Sequence, residues 1–290
     1  KKKEVAPDHT KDENVFDIQQ GVSINIFVRT PEKKDNSGYI YYSELYGKRE
    51  DKFNTLNKKN ISNVEWQKIS YSTPYYFFTP KDFSLESEYQ KGFKIDEIFV
   101  VSNSGVKTDR DSLFIDKDRD VLAKRITKLL SGQYDERFKR EFRVFDSGSY
   151  KLTGKLKDKE FDEKYIQQIQ YRPFDYQWIY YDPTLISRPA GKVLRHFVGK
   201  ENIGLITNRQ IVNNEWSHAG VTQRLSSHGT FYLGNKGQDY LFPLYLYLED
   251  GTKIPNLESE FVGRFEKIVG DTEPDEILNY IYGVLHSPAF

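Results

Sequence analysis

The clearest early rhythm in the chain is an alternation. Val22, Ile24, Ile26 and Val28 are separated by Ser23, Asn25 and Phe27, a period of two that predicts a strand. An apolar entry (Val15, Phe16, Ile18) and a Gln19-Gln20-Gly21 turn precede it. A polar loop from Thr30 to Gly38 leads to a second expected strand, Tyr39 to Leu45, and the pair suits a hairpin. The charged run Gly47 to Lys52 predicts a helical turn that fades by Asn57. Lys58 to Ser70 is a polar connector holding Trp66, which puts a domain boundary near Asn60. Beyond it, Pro74 to Pro80 predicts a short buried strand, Phe93 to Ser102 a second and Leu113 to Ile115 a third.

The pattern then turns helical. Asp116 or Asp118 can cap a helix whose apolar face is Leu122, Ile126, Leu129 and Leu130, and Gly132 stops it. Tyr134 to Phe145 reads as a second helix and Tyr150 to Lys164 as a charged connector. The richest stretch follows. An apolar run, Ile166 to Tyr171, meets the turn Arg172-Pro173-Phe174-Asp175 and the aromatic strand Tyr176 to Tyr181. A short basic helix is expected from Arg188 to about Val198, then an apolar strand from Ile203 to Thr207. Phe231 to Leu233 and Tyr240 to Leu248 read as strands. Asn256 to Val269 and Thr272 to His286 read as amphipathic helices, the second opening on a weak Thr272/Asp275 capping box. Runs of strand and helix without strict βαβ alternation predict an α+β domain, a mixed sheet with peripheral helices.

Charge changes this picture only locally. The 43 basic and 43 acidic side chains cancel, so any anionic partner must meet a patch. From Ile186 to Lys236 seven cations face two anions, whereas from Gly237 to Phe290 three cations face ten anions. A basic middle beside an acidic end can steer an anion to one face, and ordinary solvated surface is the plainer alternative. Cysteine is absent, which removes disulfides and thiolate chemistry and fits a cytoplasmic setting. Methionine is also absent and the chain opens Lys1-Lys2-Lys3, so it is expected to be a segment of a longer polypeptide.

Several chemistries find no motif. There is no G-x-S-x-G elbow, no H-E-x-x-H, no phosphate-binding G-x-x-x-x-G-K and no strand-linked G-x-G-x-x-G. An Asp35, Glu50, Lys52 set can be assembled, but in a chain with 30% charged residues such sets arise by chance. Neither a cofactor loop nor an Asn/Asp-Pro-Pro-aromatic loop for methylating an extruded base is present. Binding is left. Lys107, Arg110, Arg172, Arg188, Lys192, Arg195, His196, Arg209, Gln210 and Arg224 offer cations and base-reading side chains among Tyr176, Trp178 and Tyr180. On a helix, Arg188, Lys192 and Arg195 would share one face, with His196 one step round. Trp178 reads as core, and Lys192 and Arg195 could simply pair with surface acids.

Several long stretches together resemble a known family. They are Asn14 to Arg29, LYGKREDKFN at Leu45 to Asn54, Tyr75 to Phe99, YRPFDYQWIYY at Tyr171 to Tyr181, RPAGKVLRHF at Arg188 to Phe197, YLFPLYLY and DEILNYIYGVLHSP. They are similar to the C-terminal half of single-polypeptide type ISP restriction–modification enzymes and related adenine-N6 DNA methyltransferases. The resemblance implies that residues 1–60 are the last strands of an α/β methyltransferase fold and 61–290 a target recognition domain for double-stranded DNA. It also implies upstream methyltransferase, and helicase or nuclease, parts of the same polypeptide, with S-adenosylmethionine bound in the methyltransferase core and not here. It assigns no base-contacting residue. The alternatives are a carbohydrate or other ligand module using the Tyr/Trp-rich faces, and a structural docking module using the acidic helical end.

Overall fold

The computed structural model describes residues 5–29, 31, 38–73, 75–208, 219–231 and 238–287. The chain divides into two compact units, Lys1–Gly92 and Phe93–Phe290. In the first, β1 (Ile40–Tyr42) pairs antiparallel with β2 (Gln67–Ile69), with α1 (Arg49–Lys58) between them and α2 (Glu86–Tyr89) after. A buried ion pair ties α1 down: Lys52 Nζ lies 2.6 Å from Asp12 and donates to the Glu13 carbonyl at 2.7 Å. The alternating run 22–28 forms no strand, and Ile24 and Phe27 are 78% and 82% exposed. Alternation supplies a face but not a partner, and no described strand lies alongside to take up its backbone groups. The structure thus provides no direct view of a methyltransferase sheet. The aromatic run after Pro74 is likewise exposed and strandless, because its rings find no core to cover them.

The second unit is the larger. Its elements are α3 (Ile95–Ile98), β3 (Asn103–Ser104), α4 (Asp111–Phe114), β4 (Ile115–Asp116), α5 (Arg119–Leu130), α6 (Glu136–Glu141), α7 (Leu152–Lys155), β5 (Ile166–Arg172), β6 (Asp175–Tyr180), α8 (Gly191–Leu194), β7 (Gly204–Asn208), β8 (Ala219–Thr222), β9 (Leu225–Ser226), β10 (Asp239–Pro243), β11 (Tyr245–Tyr247), β12 (Lys253–Pro255), α9 (Ser259–Val269) and α10 (Pro274–Leu285). One sheet has the order β3-β10-β7-β8 and another β4-β6-β5-β9. All pairs are antiparallel except β5 with β9.

Alternation along the strands sorts side chains into three cores. Leu205 and Phe242 are cross-strand partners and pack with Phe261, Ile277, Leu278 and Ile281 of α9 and α10. Their neighbours Ile206 and Leu241 point the other way and meet Ile169, Ile179 and Leu225 of the second sheet. On that sheet's far face, Ile166 and Tyr180 pack with Leu122, Ile126 and Leu129 of α5. The layers are helices, sheet, sheet, helices, an α+β arrangement with helices at the periphery. Among the described residues no helix is long and apolar enough to cross a membrane.

Two devices hold the layers in register. The segment 103–107 runs from β3 in the first sheet to Val106, which bridges Ser227 just past β9. Gly105 makes this crossing possible, because any Cβ there would lie inside contact distance of the Ser226 and Ser227 carbonyls. Asn256, wholly buried, accepts from the Val101 N–H at 2.8 Å and donates to the Val101 and Pro243 carbonyls at 2.8 and 2.7 Å.

Several local expectations change. Phe93 to Ser102 holds the short helix α3 and one isolated bridge, Phe99 to Leu257, instead of a strand. Leu113 and Phe114 close α4, and only Ile115 begins β4. The cap of α10 is shifted one residue: the Glu273 N–H donates to the Glu276 side chain at 3.0 Å. Asp118 caps α5 as expected, accepting from the Asp120 and Val121 N–H groups at 2.8 and 3.0 Å. Replacing Gly105 by Ala is expected to destabilise the second unit by ~1–3 kcal/mol through overpacking against backbone, measured as a fall in chemical-denaturation midpoint.

Candidate nucleic-acid interface

Because both faces of the central strands are covered, exposed donors gather at strand ends and links. β5 and β6 pair from Ile166↔Tyr180 to Arg172↔Asp175, leaving Pro173-Phe174 as a two-residue tip. On one face of this hairpin the aromatic row runs outward: Tyr180 is buried, Trp178 packs partly into the α5 core, and Tyr176 is 55% exposed. Gln168 and Gln170 stand opposite Trp178 and Tyr176. Arg224, exposed in the link between β8 and β9, donates from Nε to Gln168 Oε1 at 2.8 Å.

At the hairpin end three expected contact residues come together. Lys107 and Arg188 exchange backbone hydrogen bonds, each 3.0 Å. Lys107 Nζ lies 3.2 Å from Asp109, which also accepts from Ser187 Oγ at 2.6 Å. Burial pushes the Asp109 carboxyl up, but the Ser187 and Lys107 bonds outweigh it and hold it below the usual carboxylate range. Arg172 lies over the Tyr171 ring, 3.8 Å from its centroid, and the Tyr171 hydroxyl donates to Asp111 at 2.9 Å. His228 belongs to the same cluster: burial, then the charge of Lys107, with a smaller push from Arg172, depresses its basicity.

Other expectations are redistributed. The basic helix is one turn only, Gly191–Leu194, entered through Ala190 at φ 52°. Arg188 therefore lies outside the helix, in the bridge to Lys107, and does not share a helical face with Lys192 and Arg195. Pro189 and the left-handed Ala190 end the regular backbone that such a face would need. Lys192 and Arg195 are exposed. Arg110 is 3% exposed, and its guanidinium donates to the carbonyls of Arg143, Asp109 and Phe145 at 2.7, 2.6 and 3.0 Å, a structural cross-link. His196 is buried too. Its Nδ1 accepts from the Tyr247 N–H at 3.0 Å, and its Nε2 faces the Arg195 Nε–H at 3.3 Å. Arg209 and Gln210 lie outside the described residues. Gln168 was not singled out from sequence, although its spacing opposite Trp178 in a hairpin register identifies it. Among the described residues no group of three His, Cys, Asp or Glu could hold a metal ion.

The Type ISP C-terminal specificity domain matches residues 97–290. The chain belongs to this family. Its fold recurs in solved structures. The DrdV–DNA complex, determined by cryo-electron microscopy, shares 19% identity at a TM-score of 0.57 and covers 86% of this chain. A nuclease-deletion mutant of the Type ISP restriction–modification enzyme LlaGI with a DNA substrate mimic gives 17% and 0.53 over 88% of the chain. The ATP-dependent Type ISP enzyme LlaBIII bound to DNA gives 17% and 0.56 over 78%. This chain spans 27%, 21% and 16% of those three chains respectively. No curated protein matches it.

Within the specificity domain, His196 joins the basic turn to β11, and Asn202 reinforces the join by donating to the His196 and Tyr245 carbonyls at 2.9 and 2.8 Å. Burial, then the charges of Arg195 and Lys200, lowers the His196 pKa from 6.5 to about 4. A depressed folded-state value means the unfolded chain takes up a proton first, so this contribution is complete above pH 6.5 and is lost as pH falls toward 4. Thermal melting between those limits should show a His196-dependent decline, and H196Q should flatten it relative to the unaltered protein.

Proposed function

We propose that the chain reads the sequence of double-stranded DNA on behalf of a Type ISP restriction–modification polypeptide. The observation that carries this is the set of unburied donors at the ends of the second sheet, inside a domain of the specificity family. Arg188, Lys192 and Arg195, with Lys107 and Arg172, would neutralise phosphates and fix the register. Arg224 and Gln168, hydrogen-bonded side by side, carry the two functional groups best suited to guanine and adenine edges in the major groove. Arg110 and His196 are left out of this contact set because they are buried and already bonded.

In this reading residues 1–60 are the end of a methyltransferase domain and 61–290 the target recognition part, although the compact units divide at Gly92 and Phe93. Methyl transfer to adenine, and any helicase or nuclease work, belongs to other parts of the polypeptide, in the cytoplasm. S-adenosylmethionine is assigned there as well. The depression along α5, lined by Ala123, Lys124, Thr127, Lys128, Ser131 and Gln133, offers lysines and no carboxylate for a ribose, so these residues do not fit it.

The test is duplex binding by the full-length protein as salt is raised from about 50 to 200 mM, where phosphate contacts predict a steep loss. R188A is expected to weaken all sequences about equally and make the salt slope shallower by ~1. R224A should weaken the selected sequence by ~1–3 kcal/mol and relax preference at one position. Salt-independent binding of a sugar or other neutral ligand, with no duplex affinity, would replace this reading by a ligand module built on the aromatic faces.

A further inference from the structure

Phe174 is the most exposed large apolar side chain among the described residues, at 95%. It stands at the tip of the β5–β6 hairpin, directly after Pro173. Its φ is 59°, in the left-handed region. A proline followed by a residue of positive φ is the pattern of a type II turn, whose second central position ordinarily goes to glycine or asparagine. A phenylalanine there carries two penalties at once: a strained backbone and a ring left in water. Glycine would remove both, so neither turn geometry nor core packing accounts for this side chain.

The hairpin beneath is braced. Its register shifts between Gln170 and Arg172 and pairing resumes at Arg172↔Asp175, while Tyr171 is tied to Asp111 and Arg172 covers the Tyr171 ring. Its flanks carry Lys107, Arg172 and Arg188 together with the carboxylates Asp109, Asp111 and Asp175. Lys107 and Arg172 both act on the half-buried His228, and Lys107 exchanges backbone bonds with Arg188. Tyr176 is exposed two residues past the tip. An apolar plate at the end of a paired hairpin, with Arg172 beside it and Arg188 exposed nearby, is suited to stacked bases behind a charged backbone.

We infer that Phe174 is a wedge that enters the base stack of duplex DNA, parting one base step while the neighbouring cations hold the phosphates on either side. This rests on the DNA reading above and deepens it, since it names a deformation that the bound duplex undergoes. Apolar side chains inserted between base pairs unstack a step and kink the helix, so preference would arise at a step that no hydrogen bond touches.

The test uses the full-length protein and a duplex that it selects from a random-sequence pool, carrying 2-aminopurine at each position in turn. Apart from the adenine that the methyltransferase part extrudes, the unaltered protein should raise the fluorescence strongly at one step. F174G and F174A should abolish that rise and weaken binding by about 10- to 100-fold, with the salt slope unchanged. F174W should retain both properties. Because glycine suits the turn, F174G should melt no lower than the unaltered protein, which separates lost stacking from lost folding. Equal fluorescence and affinity in F174G would overturn the wedge and leave DNA reading intact. Weaker binding with no fluorescent step in the unaltered protein would also overturn it, pointing to a protein pocket as the ring's partner. Absence of any duplex affinity in the unaltered protein would remove the DNA reading and the wedge together.

Discussion

A sheet covered on both faces has no polar side to give away. That constraint organises the larger unit. Leu205 and Ile206, adjacent in β7, are committed to different cores, and so are Leu241 and Phe242 in β10. Ile166 and Ile169 divide in the same way on β5. With most strand positions spent on packing, several exposed cations lie in short links and in the turns between layers. Lys107, Arg188 and Arg224 all sit in such places. The same constraint explains the buried amides. Chain that passes between layers needs its peptide groups satisfied, and Asn202 and Asn256 each do so with both ends of the side chain.

The parts legible in the sequence were those set by local pattern. Ile166 to Tyr180 alternates around a Pro-containing turn, and the hairpin formed as read. Asp118 and the Leu122, Ile126, Leu129 stripe defined a helix that needs only one apolar surface to lie on. The α+β character followed from these. What failed depended on distant partners. The 22–28 alternation found no neighbouring strand among the described residues. Phe93 to Ser102, apolar enough for a strand, is pinned instead through Phe99 to Leu257 and Val101 to Asn256, more than 150 residues on. Nothing local announces either contact.

The site was legible by residue type and much less by geometry. Cations near aromatic rings do gather at the hairpin end, but charge alone does not distinguish Arg110 from Arg188. One is enclosed by the carbonyls of a loop over thirty residues later, and the other is held open by an edge bridge. Arg188 also shows how two residues can redirect an inference: Pro189 and Ala190 break the backbone before Lys192, and a presumed helical row becomes two separate groups. Gln168 was passed over because a single glutamine in a strand is unremarkable until its register against Trp178 and its bond to Arg224 are known.

The Gln168–Arg224 pair has one more property. Arg224 occupies a two-residue link whose turn is closed by its own backbone N–H to Thr222 Oγ1, at 3.1 Å. The flanking Thr222 and Leu225 carry the burial, and the Arg224 side chain carries none of it. The frame and what it displays are therefore separate layers of one structure. Substitutions at these two positions can alter the displayed groups without asking the cores to repack. The backbone that holds these two side chains is thus set by residues other than themselves, and it is compatible with different side chains at both positions.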